Sequence, residues 1–232
     1  MKHDVAKYKT LVFDCDGVVL NSNRIKTDAF RLAALPYGED AANQLVRHHI
    51  RNGGISRYKK FEHFLDVIAS SKQDFGFEVL LTRFAEAVTQ GLMTCDVADG
   101  LTELRERTGH ATWTIASGGD NSELNEVFAR RGLAHLFDGG IHGSPEPKHE
   151  ILARLERDGT LQRPALFLGD SVYDYEVARD ASIDFLFLSG WSEDENWQDF
   201  VRQNGLAEMH AIGDLCETQR AAEALKPPRD DT

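Results

Sequence analysis

The chain has 232 residues, of which 41% are hydrophobic and 28% are charged, as is usual for soluble globular proteins. Its 26 basic and 38 acidic residues give a net charge of −12. This argues against a general surface for nucleic acid or anionic membranes, because such surfaces need clustered positive charge. A small anionic substrate is not excluded, since a local cationic pocket or a bound metal overrides the global field. The polar amino terminus has no signal-peptide or membrane-spanning segment, so we expect a cytoplasmic protein.

The first strong pattern is an apolar run at residues 11–13 that stops at two aspartates, Asp14 and Asp16, followed by Gly17. A short apolar run of this kind favours a strand that is buried on both faces. Alternate side chains of a strand point the same way, so the two carboxylates can converge on one site. Such a pair is unfavourable unless a metal or a shared proton neutralises it. Alone, the stretch equally fits a strand that ends in a polar turn.

The next seventy or so residues are predicted to be helical, about the size of a small satellite domain. Two apolar sets recur at helical spacing: Phe61, Phe64, Leu65 and Ile68, and then Leu80, Phe84, Ala87 and Val88. Ser56 is a candidate N-cap for the first set. Residues 23–35 and 40–50 are weaker helix candidates, separated by Pro36 and Gly38.

From about residue 95 onward, predicted helices and strands alternate. Helices are predicted at 101–107, 121–131 and 148–157, and strands at 111–116, 139–142, 165–168 and 184–188. Alternation of this kind implies a parallel sheet with helices on both faces.

Polar residues that suit phosphate chemistry follow these strands, at the sheet edge where open α/β folds bind ligands. They are Asp14 with Asp16, Ser117 with Gly118, Lys148, and Asp170 with Asp174. Carboxylate oxygens suit Mg²⁺, whereas a hydroxyl and free backbone N–H groups suit phosphate oxygens. A lysine supplies a compensating positive charge.

Together these groups resemble the haloacid dehalogenase-like superfamily, over nearly the whole chain. FDCDGVV is similar to the superfamily's first motif, TIASGG to its second, Lys148 to its third, and GDSVYDYEVARDASI to its fourth. The helical stretch lies where the superfamily places an all-helical cap of its first type. The resemblance implies an α/β fold with a Rossmann-like parallel-sheet core, residues 1–20 and 95–232, and an inserted helical cap domain, residues 21–94.

The resemblance also implies a catalytic role for several residues. Asp14 would be the nucleophile that accepts the phosphoryl group as an aspartyl-phosphate. Asp16 would protonate the leaving alcohol and then deprotonate the water that hydrolyses the intermediate. Ser117, the Gly118 amide and Lys148 would hold the transferring group, whose charge spreads over its equatorial oxygens.

The implied cofactor is Mg²⁺, bound by Asp14, by the backbone carbonyl of Asp16 and by Asp170. Asp174 would be either a further metal ligand or a partner that orients Lys148. A simpler alternative for Asp174 is an acid in the first turn of a helix, which the helix dipole favours.

Residue identities separate the branches of the superfamily. Its dehalogenases lack the second acid, so the presence of Asp16 favours phosphate chemistry. β-Phosphoglucomutase-like members carry a histidine twelve residues after the nucleophile, where this chain has Lys26. This difference weakens the mutase interpretation without eliminating it.

The sequence GISR, which ends at Arg57, resembles the GVSR loop of mutase-type caps. Arg57 and the preceding Arg51 are therefore candidates for contacting the substrate beyond the scissile phosphate, although Arg51 fits a solvated charge slightly better.

The sequence thus predicts a Mg²⁺-dependent phosphatase for a small phosphorylated metabolite, such as a sugar, polyol or phosphoglycolate-type phosphomonoester. One alternative is a phosphomutase of the β-phosphoglucomutase type. A second is a non-catalytic binding or regulatory protein on the same fold. We expect no nucleic-acid or membrane partner, and the sequence leaves the substrate and the oligomeric state open.

Overall fold

The computed structural model describes residues 4–69 and 76–216. In these residues six strands form one parallel sheet: β1 (Thr10–Phe13), β2 (Thr112–Asp120), β3 (Ile141–Ser144), β4 (Ala165–Gly169), β5 (Asp184–Leu188) and β6 (Ala207–Met209). Their order across the sheet is β3-β2-β1-β4-β5-β6.

Strand β1 lies inside the sheet, between β2 and β4. Phe13, its last residue, is in register with Ile115 of β2 and Leu168 of β4. All four residues of β1 are buried, as predicted for a strand covered on both faces. Because the three strands are parallel, their carboxyl ends meet at the same edge of the sheet, directly before Asp14.

Helices cover both faces of the sheet. They are α5 (Leu101–Arg107), α6 (Asn121–Arg130), α7 (Lys148–Arg157), α8 (Val172–Asp180) and α9 (Trp197–Asn204). Leu11 and Phe13 belong to the core cluster that includes residues of α5 and α6, whereas Val12 packs with residues of α7 and α8. The alternation of side chains along β1 therefore sends neighbouring residues into two separate cores.

An all-helical insertion follows β1 in the chain. It contains α1 (Asn23–Ala34), α2 (Glu39–Arg51), α3 (Arg57–His63), which continues as a π-helical segment (Phe64–Ile68), and α4 (Phe77–Thr94). Phe30 of α1 packs against Phe61 and Phe84, with ring centroids 5.2 and 4.5 Å apart. Ser56 caps α3, since its side chain accepts a hydrogen bond from the Lys59 amide. The predicted α/β fold with a helical insertion is thus confirmed.

Some element boundaries differ from the prediction. Strand β2 continues to Asp120 because it pairs with Ser144 of β3 beyond an irregularity in register after Ala116. Strand β3 begins two residues later than predicted, at Ile141, because Gly140 has a left-handed backbone with φ of 89°. Strand β6 and helix α9 were not predicted, and neither has a fully buried residue that would form an apolar run. No helix in the described parts of the chain is both long and apolar enough to cross a membrane.

Candidate active site

The site is built around Asp14, the residue that follows β1. Its backbone N–H donates a hydrogen bond to the Leu168 carbonyl at 2.9 Å, so the ladder between β1 and β4 fixes its position. The residue is 2% exposed, and its Oδ1 accepts a hydrogen bond from the Cys15 amide at 2.7 Å. The chain then turns at Gly17, whose φ is +75° and where a Cβ atom would lie 2.1 Å from Asp170 Oδ2. Only glycine fits this turn without displacing Asp170.

Lys148, the first residue of α7, joins the end of β1 to helix α8. Its Nζ lies 2.9 Å from Asp14 Oδ1 and 2.5 Å from Asp174 Oδ1. Burial favours the neutral amine, but the two carboxylates outweigh it and raise the pKa of Lys148 above its ordinary value. Lys148 is therefore a buried ammonium. Asp174 Oδ2 accepts a hydrogen bond from Ser171 Oγ at 2.6 Å, so both oxygens of Asp174 are engaged by protein groups.

Three buried carboxylates form the acidic part of the site. Asp14, Asp170 and Asp174 each offer an oxygen, and these oxygens lie within 4.8 Å of one another. Burial raises the pKa of Asp14 to about 7, although Lys148 opposes the shift. Burial, together with Asp14 and Asp174, raises the pKa of Asp170 well above its ordinary value. One ammonium does not balance three carboxylates, and clustered hard oxygen donors fit a divalent cation such as Mg²⁺.

A further contact holds the Asp170 carboxylate in place. Asn23, the first residue of α1, donates from Nδ2 to Asp170 Oδ2 at 2.7 Å and to the Trp191 carbonyl at 2.8 Å. The helical insertion therefore contributes directly to the geometry of the acidic cluster.

The Asp16 carboxylate makes its contacts outside this cluster. Its Oδ2 lies 2.5 Å from Lys26 Nζ, and its Oδ1 accepts a hydrogen bond from Ser22 Oγ at 2.6 Å. Burial alone would raise the pKa of Asp16, but Lys26 and Ser22 hold that pKa below its ordinary value. Since Lys26 belongs to α1, this ion pair links the insertion to the sheet edge.

The two predicted phosphate-binding positions on β2 differ in their surroundings. Gly118 lies where the loop before α3 passes the sheet, and a Cβ atom there would come 2.2 Å from the Gly54 carbonyl oxygen. Ser117 is fully buried, and its Oγ accepts a hydrogen bond from the Gly119 amide at 3.0 Å. Gly118 and Gly119 line the cavity described next.

A cavity of about 280 Å³ separates the sheet edge from the helical insertion. The sheet side supplies acidic residues, and the insertion supplies cations and rings. Residues of both sides include Asp14, Asp16, Asp170, Lys26, Arg51, Arg57, Lys60, His49, Phe30 and Phe84. The cavity thus places acidic groups at one wall and basic groups at the other.

The three predicted cap residues all line this cavity, but only Arg51 is exposed. Arg57 is buried and forms an ion pair with Glu123 of α6, in which Nη1 and Oε2 are 3.1 Å apart. Its guanidinium also lies 4.5 Å from the centroid of the Phe84 ring. In this conformation Lys26 and Arg57 are therefore both engaged in ion pairs between the insertion and the sheet core.

Several residues of the site were not predicted from the sequence. Asn23 and Ser171 lie at the starts of helices. Asn and Ser at such positions are usually interpreted as N-cap residues, so they gave no signal of a role in the site. Lys60 and His49 face the cavity from α3 and α2. The one available signal for Lys60 was its position three residues after Arg57, which places both on the same side of a helix.

Comparisons with known proteins agree with this architecture. A family model described as haloacid dehalogenase-like hydrolase matches residues 8–182, which is more than half of the chain. A search of curated protein sequences finds no match.

Three similar solved structures illustrate the shared fold. A Lactobacillus plantarum protein predicted to be a phosphoglycolate phosphatase is 21% identical, with a TM-score of 0.69, and the match covers 91% of this chain and 99% of that one. A β-phosphoglucomutase from Clostridium difficile is 15% identical, with a TM-score of 0.64 and coverage of 93% and 99%. YfnB from Bacillus subtilis, in a structure bound to magnesium, is 15% identical, with a TM-score of 0.64 and coverage of 92% and 99%. At these identities the structures establish a common fold, and the family model, which matches residues 8–182, shows that the chain belongs to the haloacid dehalogenase-like hydrolases.

Proposed function

We propose that the protein is a Mg²⁺-dependent phosphatase that hydrolyses a small phosphomonoester through an aspartyl-phosphate on Asp14. The observation that carries the proposal is the contact of Lys148 with Asp14 at the carboxyl end of β1, beside the Asp170 carboxylate. A carboxylate next to an ammonium suits attack on a phosphoryl group, whose charge the ammonium offsets.

The first step forms a bond between Asp14 and phosphorus and breaks the bond from phosphorus to the alcohol oxygen. Because the Cys15 amide and Lys148 both hold Asp14 Oδ1, we assign the attack to Oδ2. The alcohol leaves with a proton from Asp16. In the second step Asp16 takes a proton from water, which attacks phosphorus and frees Asp14. Ser117, the Gly118 amide and Lys148 hold the transferred group.

Asp16 must be protonated to act as an acid, but its contacts in this structure oppose protonation. Lys26 lies 2.5 Å from Asp16 Oδ2, and this pairing favours the carboxylate form. We infer that the contact between Asp16 and Lys26 opens when substrate binds, so that Oδ2 reaches the leaving oxygen. Lys26 lies on α1, so movement of the insertion would accompany this change.

The acidic cluster fits Mg²⁺, and we assign Asp14, Asp170 and the Asp16 carbonyl as its ligands. When bound, the ion neutralises negative charge on the carboxylates and on the phosphoryl group. Both oxygens of Asp174 are held by Lys148 and Ser171. This favours a positioning role for Asp174 over direct coordination, because both of its carboxylate oxygens already accept hydrogen bonds from protein groups.

The proposal is tested by phosphate release from a panel of phosphomonoesters, with and without Mg²⁺. We expect release that requires Mg²⁺ and that is lost in Asp14→Asn, because an amide does not form an aspartyl-phosphate. Asp99→Asn is the matched control, since Asp99 is an exposed aspartate of the same chain. Full activity of Asp14→Asn would eliminate the covalent mechanism, and activity in EDTA would eliminate the metal requirement.

A phosphomutase is the second candidate, favoured by Gly54, Ile55 and Arg57 of the mutase-like loop, which all line the cavity. Phosphorus NMR of a sugar phosphate incubated with the protein separates the two activities. An isomerised sugar phosphate with little inorganic phosphate would favour the mutase, and inorganic phosphate would favour the phosphatase. If a broad panel gives neither product although Mg²⁺ binds, the non-catalytic alternative gains support.

The remaining predictions from the sequence concern the partner of the protein, its cellular location and its domain boundaries. We propose that the partner is a small phosphorylated metabolite and that the protein acts in the cytoplasm, without nucleic acid or membrane. The domain limits at residues 20 and 95 stay a prediction as well.

A further inference from the structure

Lys60 is a buried lysine in the cavity wall that the proposed chemistry does not use. It lies on α3, is 2% exposed and lines the cavity. Its Nζ lies 2.7 Å from His49 Nδ1 and 5.4 Å from the centroid of the Phe30 ring. Within residues 4–69 and 76–216, no carboxylate lies close enough to Lys60 Nζ to form an ion pair.

The other buried cations at this site are compensated. Lys26 pairs with Asp16, Arg57 with Glu123, and Lys148 with Asp14 and Asp174. Lys60 differs from them because its contact is an imidazole nitrogen. A hydrogen bond to neutral imidazole satisfies one N–H but supplies no negative charge.

A buried ammonium without a counterion is unfavourable, because the loss of hydration is not repaid. Burial and the nearby positive charge of Lys26 lower the pKa of Lys60 to about 7. Burial and Lys60 also hold the pKa of His49 well below its ordinary value. His49 is therefore neutral and accepts from Lys60 through Nδ1, which leaves two N–H groups of the Lys60 ammonium for another partner.

We propose that Lys60, oriented by His49, binds a second anionic group of the substrate, either a carboxylate or a second phosphate. This proposal rests on the proposed phosphatase function, because it assumes that the cavity holds a phosphomonoester whose scissile phosphate lies at Asp14. An anion balances the buried ammonium, whereas a hydroxyl group would leave its charge uncompensated. The two free N–H groups suit the two oxygens of a carboxylate or two oxygens of a phosphate. The substrate class is then a small phosphomonoester with two anionic ends.

Two matched substrate pairs test this subsite. The first compares 3-phosphoglycerate with glycerol 3-phosphate, which has a hydroxymethyl group in place of the carboxylate. The second compares fructose 1,6-bisphosphate with fructose 6-phosphate. We expect a kcat/KM at least about tenfold higher for the doubly anionic member of one pair, as is typical of a hydrogen bond to a charged group. The pair that shows the preference identifies the anion as carboxylate or phosphate.

The variants Lys60→Met and Lys60→Gln test which residue creates the preference. We expect each to reduce the ratio of kcat/KM within the preferred pair to near one, mainly through a higher KM for the doubly anionic member. Lys59→Met is the control, because Lys59 neighbours Lys60 in sequence but has a side chain that is 72% exposed. Its ratio should match that of the wild type.

The outcomes separate this proposal from the one on which it rests. Equal kcat/KM within both pairs in the wild type would overturn the anion subsite, and so would a folded Lys60 variant that keeps the preference. Loss of phosphate release from every ester of a broad panel would instead overturn the phosphatase itself. The comparison in the wild-type protein needs no variant, so the subsite can be tested even if neither Lys60 substitution folds.

Discussion

Lys148 Nζ lies 2.9 Å from Asp14 Oδ1, so an ion pair joins the first residue of α7 to the residue that follows β1. Lys148 also contacts Asp174 Oδ1 at 2.5 Å, and all three side chains are almost completely buried. A buried ion pair adds little net stability compared with well-packed apolar residues. Removal of one partner, by contrast, lowers the stability strongly, because it leaves the remaining charges buried and uncompensated.

Lys148→Met should therefore destabilise the metal-free protein, by about 3–5 kcal/mol in the free energy of unfolding. Its three neighbouring carboxylates would repel one another without the ammonium, so Mg²⁺ should restore more stability to the variant than it adds to the wild type. Urea denaturation in EDTA and in Mg²⁺ measures both effects. Lys59→Met, at an exposed position, should change stability by less than about 0.5 kcal/mol. A Lys148→Met protein as stable as the wild type in EDTA would contradict the electrostatic account.

Asn23→Ala should weaken Mg²⁺ binding. Asn23 Nδ2 connects Asp170 Oδ2 to the Trp191 carbonyl, so it fixes the orientation of a proposed metal ligand without touching the metal. Loss of such a supporting contact typically costs 10–100-fold in metal affinity. Calorimetric titration with Mg²⁺ measures the change. Asn21→Ala is the control, because the Asn21 amide contacts Asp96, and an Asn23→Ala affinity equal to that of this control would remove the assigned role.

Gly118→Ala should impair catalysis while leaving the secondary structure intact. The added Cβ would lie 2.2 Å from the Gly54 carbonyl oxygen, so the loop before α3 must move away from the sheet. A displacement of about 1 Å in a catalytic arrangement can cost roughly 100-fold, and we expect a loss of that order in kcat/KM. Gly109→Ala is the matched control, since its nearest neighbour would be 3.7 Å away. Wild-type kinetics in Gly118→Ala would show that this close approach is not required.

The part of the site that the sequence predicted follows from sheet topology. Apolar runs before Asp14 and Asp170 identified two strands, and parallel strands bring their carboxyl ends to one edge. The register of Phe13 with Leu168 then places Asp14 level with Gly169, the residue before Asp170. Lys148 was predictable as a helix start after a strand, and the structure brings its Nζ to Asp14. Here local pattern and topology were enough, because each aspartate directly follows a strand and Lys148 begins a helix.

The parts that were not predicted depend on the packing of helices against one another and against the sheet. Arg57, a candidate for contacting substrate, lines the cavity, but its pairing with Glu123 of α6 depends on how closely the insertion approaches the core. The contact of Lys60 with His49 needs the relative placement of α2 and α3, which no periodicity encodes. The sequence placed the end of β2 at residue 116 instead of Asp120. The strand continues because it pairs with β3 beyond an irregularity in register after Ala116, and this pairing is not visible in the sequence of β2.

The pKa of Lys60 predicts a dependence of stability on pH. Its ordinary value is 10.5, and burial and Lys26 lower it to about 7 in the folded protein. Between these values the unfolded chain binds more protons than the folded one, so stability rises with pH. The charged groups around Lys60 are Lys26 of α1 and, more weakly, Asp16, Asp14 and Lys148 of the core. His49 of α2 is the neutral group in contact with it.

Comparison of the wild type with Lys60→Met isolates this effect above pH 7, because His49, whose pKa Lys60 lowers, is neutral there, and the other titrating groups are common to both proteins. From pH 7 to pH 9.5 the free energy of unfolding of the wild type should rise relative to that of the variant by about 3 kcal/mol, since each pH unit in this range corresponds to about 1.4 kcal/mol. Below about pH 6 Lys60 is protonated in both states, so its own titration no longer contributes to the pH dependence of the difference. Urea denaturation at several pH values measures the difference. A difference that stays flat above pH 7, or that falls, would mean that Lys60 keeps its proton in the folded protein and that another charge compensates it.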